Sequence, residues 1–145
     1  MSELEGRPAV KLLGRYAIVV ALISAFSLAG PAEAVDFTAT TSLTIKVSRL
    51  HIQQGQQVKI YGRLKSDRHS CVNNEKIKLF AKPVGSAWRL VAHTRTAENG
   101  SYRFVRKPKK TTRFKTKYPG RTTGVHPNQH TCLPSVSVVR KVRVI

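Results

Sequence analysis

Two tripeptides, His69-Ser70-Cys71 and His130-Thr131-Cys132, repeat the pattern His-x-Cys in a chain that has no other cysteine, and His126 adds a third imidazole. Two thiolates and two imidazoles suit zinc or copper, so His69, Cys71, His130 and Cys132 are a candidate metal set if their loops meet. The same cysteines offer a simpler chemistry, one Cys71–Cys132 disulfide, which would consume both sulfurs. An oxidising compartment favours the bond over a thiolate site. Closing a loop of about 60 residues would contribute roughly 4 kcal/mol in the chain-entropy picture.

Catalytic sets are scarce. A cysteine nucleophile needs a free, activated thiol beside a base, which the disulfide removes. Once a leader is set aside (below), the acids are only Asp36, Asp67, Glu75 and Glu98, too few to assemble readily into paired carboxylates for acid/base work. No G-x-S-x-G elbow, phosphate loop or H-E-x-x-H stretch occurs. The sequence therefore reads as non-enzymatic, and no cofactor is expected. Asn99-Gly100-Ser101 matches a glycosylation acceptor, but a turn explains the Asn-Gly equally well.

What the chain has in excess is positive charge. Lysine and arginine number 26 against 7 acids, a formal net charge of +19. The stretch RFVRKPKKTTRFKTKYPGR, from Arg103 to Arg121, holds nine basic side chains and no acid. An ordinary surface intersperses both signs, whereas lysine and arginine alone are what phosphates and carboxylates need for multivalent, sequence-indifferent pairing. Arg106, Lys107, Lys109, Lys110, Arg113, Lys115 and Lys117 are the candidate polyanion-binding residues. The competing reading is that these charges only solvate exposed faces.

The first residues place the protein. Arg7, Lys11 and Arg15 precede and flank the uncharged, mostly apolar run YAIVVALISAFSLAG, and AEA at Ala32 to Ala34 supplies small residues for cleavage. Residues 1–34 are thus expected to be a secretory signal. Its apolar run is shorter than the roughly 20 residues needed to cross a bilayer, so no stable membrane insertion is expected after cleavage. Within 1–34, three acids and three bases cancel, including Glu33, so the whole +19 belongs to the exported part. The expected location is secreted or extracellular, with cell-surface association left open.

The elements that would position these residues have period two. SLTIKVS, QVKIYGRL, EKIKLFAK, WRLVAHTRT, SYRFVR, TRFKTKY and SVSVVRKVRVI each alternate apolar with polar positions or are valine-rich, and turn-rich segments separate them. About seven strands in roughly a hundred residues imply an all-β, antiparallel sandwich of two sheets. Trp88, Phe104 and Phe114 are expected in its core. Gly62 should mark a bend or close backbone approach, and Asn99-Gly100 a type I′ hairpin turn. Within TRFKTKY, Arg113, Lys115 and Lys117 share one face, and Phe114, Thr116 and Tyr118 the other. Residues 35–41 read as a tether and 42–145 as the domain.

The strand order, Gly55, Gly62, the Trp88 strand, the T-x-x-x-G-x-Y-x-F run from Thr96 to Phe104 and the valine-rich last strand resemble secreted bacterial Ig-like β-sandwich domains. Those domains are related in layout to carboxypeptidase-regulatory-like and prealbumin-like modules. The resemblance implies an Ig-like fold over nearly all of residues 41–145 and says little about activity, because its motifs are turn and core positions.

Together these readings give a secreted, non-catalytic Ig-like module that binds anionic extracellular or cell-wall polymers through a cationic sheet face. Candidate partners are acidic polysaccharides, teichoic acids, anionic lipid surfaces or extracellular DNA. Sequence-specific nucleic-acid recognition is not expected, because no helix-turn-helix, zinc-finger or basic-zipper pattern occurs. The alternative is a structural or protein-interaction module, with a protein partner at its sheet edges or loops and charge serving solubility.

Overall fold

The computed structural model describes Gly30 and residues 33–145; the expected signal segment lies almost wholly outside the described residues. The unit Glu33–Ile145 is built from strands, with a single 3₁₀ turn at His69–Cys71. In chain order the strands are β1 (Phe37–Ala39), β2 (Thr41–Leu43), β3 (Lys46–Val47), β4 (His51–Ile52), β5 (Val58–Ser66), β6 (Lys76–Pro83) and β7 (Arg89–Arg95). They continue with β8 (Ser101–Arg106), β9 (Thr112–Tyr118), β10 (Arg121–Thr123), β11 (His130–Cys132), β12 (Ser135–Val136) and β13 (Arg140–Val144). Each of the seven alternating segments contains strand. The additional strands are short edge pieces and interruptions.

Two sheets enclose the core. In one, β5 is flanked by β2 and β3 on one side and by β8 on the other; in the second the order is β4-β13-β9-β6-β7, with β12 also on β9. Inward residues from both sheets, including Val58, Ile60, Leu64, Tyr102 and Phe104 facing Ile77, Leu79, Phe114, Tyr118 and Val142, form one buried cluster. Because side chains alternate across a strand, burying these positions fixes which residues line the outer faces. Pairing is antiparallel except for β4 on β13 and β1 on β11, which are short parallel ladders.

SLTIKVS keeps one register against β5 but its ladder is interrupted at Thr44. The Arg63 N–H donates to Thr44 Oγ1 (2.9 Å) rather than to the carbonyl, which accepts instead from the Tyr102 hydroxyl (2.5 Å). Thr116 Oγ1 completes the contact, 2.8 Å from that hydroxyl. This arrangement needs glycine at 62, where a Cβ would stand 2.7 Å from Tyr102 Oη and closer still to the Thr44 carbonyl. SVSVVRKVRVI is likewise broken. Between Val136, opposite Lys117, and Arg140, opposite Phe114, it carries one residue more than β9, a bulge that leaves Val138 and Val139 exposed.

Three expectations are corrected. Asn99-Gly100 does not close a hairpin: β7 pairs with β6 and β8 with β5, so the turn carries the chain from one sheet to the other. Only Gly100 has positive φ (83°), with its N–H on the Ala97 carbonyl (2.9 Å), as in a type I turn followed by a left-handed residue. Its close approach to Leu64 and Val72 leaves no room for a side chain. Trp88 is not in the core; it is half-buried just before β7, because that strand lies at the sheet edge and has little to pack against. Residues 35–41 do not hang free, since β1 pairs with β11 and Ala39 is buried.

Candidate functional site

Cys71 and Cys132 are joined in a disulfide, with Cα atoms 5.5 Å apart. The bond ties the 3₁₀ turn to β11 in a small third sheet, β1-β11-β10, beside the sandwich. With both sulfurs consumed, the metal set His69, Cys71, His130 and Cys132 is overturned. His130 instead stacks on Phe37, ring centroids 4.2 Å apart, and His126 Nδ1 meets Asp36 Oδ2 at 2.5 Å. The backbone N–H of Gln129 (2.7 Å) and then His126 hold the Asp36 carboxyl below its ordinary range. Next to the disulfide, the buried Glu75 accepts from the Tyr118 hydroxyl (3.0 Å) and from Arg121 Nε (2.9 Å). Burial, and then Glu75, pushes the Tyr118 phenol upward. These contacts fasten one end of the sandwich and use up two of the few acids.

The seven candidate basic residues divide between two places. Arg113, Lys115 and Lys117 stand on the outer face of β9, while Thr112, Phe114, Thr116 and Tyr118 are buried behind them. Across that face the register aligns cation with cation. Arg113 is opposite Lys82 on β6 and opposite Lys141 on β13, Lys117 is opposite Lys78, and Lys76 is opposite Arg95. Lys82, Arg113 and Lys141 also surround a dimple of about 180 Å³ together with Thr111 and the Val84-Gly85 turn. Apolar and aromatic groups are interspersed: Phe80 is opposite Lys115, and Lys115 Nζ lies over the Trp88 ring, 4.4 Å from its centroid.

The other sheet is also basic, but its register separates the charges. Lys46 and Arg103 flank Tyr61, Lys59 is opposite Val105, Arg63 opposite Ser101 and Lys65 opposite Ser42. Like charges directly opposite one another destabilise a sheet, so spacing cations with neutral partners is the ordinary solution. The β4-β13-β9-β6-β7 face departs from it. Among the described residues both ion pairs lie elsewhere, Glu75 with Arg121 and Asp36 with His126.

Arg106, Lys107, Lys109 and Lys110 are not on that face. They belong to the end of β8 and the loop to β9, where they line a cleft at the end of the sandwich. Contiguity in the chain groups them with Arg113 in the sequence, and the fold separates them. Lys82 and Lys141 are legible locally only as strand-face residues, since nothing near either one shows that both sit beside Arg113.

No family model matches the chain, and no curated protein matches it. Among solved structures it is similar to a superoxide reductase (neelaredoxin) from Ignicoccus hospitalis, with 11% identity and a TM-score of 0.45 over 70% of this chain and 80% of that one. A likeness of that degree carries no argument about what this chain binds or does.

Proposed function

We propose that the protein is a secreted, non-catalytic Ig-like module that binds anionic polymers on the outer face of the β4-β13-β9-β6-β7 sheet. The observation that carries this reading is the in-register row Lys82–Arg113–Lys141, with Lys78–Lys117 beside it and, among the described residues, no carboxylate paired to either. Three cations in adjacent strands repel one another, and a chain of phosphates or carboxylates laid across the strands turns that repulsion into attraction. Binding proceeds by multivalent charge pairing with release of counterions, so it is indifferent to sequence and falls steeply with salt. Trp88 and Phe80 add flat apolar surface on which a sugar ring can rest.

The disulfide agrees with an oxidising, extracytoplasmic location, and among the described residues no helix is long and apolar enough to cross a membrane. Retention of the purified protein on immobilised teichoic acid, acidic polysaccharide and DNA, each eluted with rising salt, tests the reading. Retention well above physiological salt, differing among polymers of similar charge density, is expected. Release at low salt from every column alike would return the charge to a solvating role and move the search to protein partners.

A further inference from the structure

The cleft at the end of the sandwich differs in kind from the outer face. It has a volume of about 570 Å³ and opens between the two sheets. Ala81, Val91 and Phe114 give it an apolar floor, and Arg89, Arg106 and the loop lysines 109 and 110 form its rim. Arg106 is opposite Val58, whose side chain is fully buried, so it points to the inner side of its sheet. Arg89 is opposite the buried Ala81 and points to the inner side of the other. A guanidinium from each sheet thus faces one inter-sheet space.

Among the described residues neither arginine has a carboxylate within 4 Å, and the guanidiniums that donate hydrogen bonds within the chain are those of Arg95, Arg121 and Arg140. An inward-facing guanidinium next to apolar surface gains most from an anionic acceptor that fills its planar fork.

We propose that this cleft is a separate binding site for a small amphiphilic anion. Its carboxylate, phosphate or sulfonate head would sit between Arg89 and Arg106, and its aromatic or acyl body would lie on Ala81, Val91 and Phe114. The volume falls within the range of small-molecule sites, roughly 300–1,000 Å³. Charge complementarity selects an anion, and the apolar floor selects one with a hydrophobic body over a sugar polymer or free inorganic phosphate.

The test uses 8-anilinonaphthalene-1-sulfonate, with its uncharged counterpart N-phenyl-1-naphthylamine and sulfate alone as controls. Binding is read by fluorescence titration and by amide chemical shifts. The expected result is a single saturable site for the sulfonate, at least tenfold tighter than for the neutral amine. Its shifts should cluster at Val91, Arg106 and Phe114, and Arg89→Gln and Arg106→Gln should each weaken it roughly tenfold. Val91→Trp, which fills the floor, should abolish it, whereas Arg113→Gln on the outer face should leave it unchanged. Equal affinity for the neutral amine, shifts scattered over the outer face, or indifference to both arginine substitutions would overturn the proposal. None of these outcomes depends on polymer binding, so the two sites stand or fall separately.

Discussion

Arg113→Gln should make the free protein more stable. Arg113 lies between Lys82 and Lys141, one on each neighbouring strand. At an assumed head-group separation of about 7 Å, each repulsion would be worth about 0.6 kcal/mol in a water-like dielectric, and about 1.2 kcal/mol for the two. Glutamine keeps most of the aliphatic stem, so little packing is lost. In low salt the variant should gain about 1 kcal/mol, or roughly 4–8 °C in Tm for a domain of this size. At about 0.15 M salt the screening length is about 8 Å and the gain should fall to roughly half. Arg113→Glu, which converts two repulsions into attractions, should gain about twice as much. Thermal denaturation in about 20 mM and 500 mM NaCl measures both. A lower Tm for Arg113→Gln at low salt, or a gain that does not shrink at high salt, would refute the claim that the face holds uncompensated repulsion.

Two further outcomes concern the frame that carries the face. Replacing both Cys71 and Cys132 by alanine should lower stability by roughly 4 kcal/mol, the value for a loop of about 60 residues, and proteolysis should then cut first between residues 119 and 131, around β10; an unchanged urea midpoint would deny the bond that role. Burial raises the Tyr102 hydroxyl from 10.0 to about 12, so the folded state holds its proton more tightly than the unfolded chain. Its contribution is fully present below about pH 10 and is lost as pH rises towards 12, at most about 3 kcal/mol for a shift of that size. Tyr102→Phe should cost about 1–3 kcal/mol at neutral pH by stranding the Thr44 carbonyl and the Thr116 hydroxyl, and should remove part of the alkaline decline; Tyr118, also raised, supplies the remainder. Urea midpoints from pH 8 to 12 would show an identical slope in wild type and variant if the hydroxyl were not involved.

Much of the fold is legible because burial imposes period two. Alternation in TRFKTKY sends Arg113, Lys115 and Lys117 outward and Phe114, Thr116 and Tyr118 inward, and the structure has that arrangement. Gly62 signals a close approach and meets the Thr44 carbonyl. The disulfide follows from two cysteines and the expected compartment. Legibility ends where pairing between distant segments decides the outcome. Asn99-Gly100 has the local chemistry of a hairpin, yet the two strands it joins belong to different sheets and pair there with β6 and β5. Trp88 has the hydrophobicity of a core residue, but it lies just before an edge strand. The seven basic candidates are close together in sequence, whereas Lys82 and Lys141, far from Arg113 along the chain, are its neighbours across the sheet. Register across strands is a tertiary property, and no local pattern encodes that three cations will line up.

The most direct measurement compares the salt dependence of polymer binding for two variants of equal net charge. One replaces Lys82, Arg113 and Lys141 on the outer face by glutamine; the other replaces Lys59, Arg63 and Arg103 on the opposite sheet. If the aligned row is the binding surface, the first variant should lose affinity and flatten the slope of log K against log salt by roughly one unit for each contact removed, while the second stays near wild type. Equal losses in the two variants would mean that net charge alone attracts the polymer and that the alignment has no part in binding.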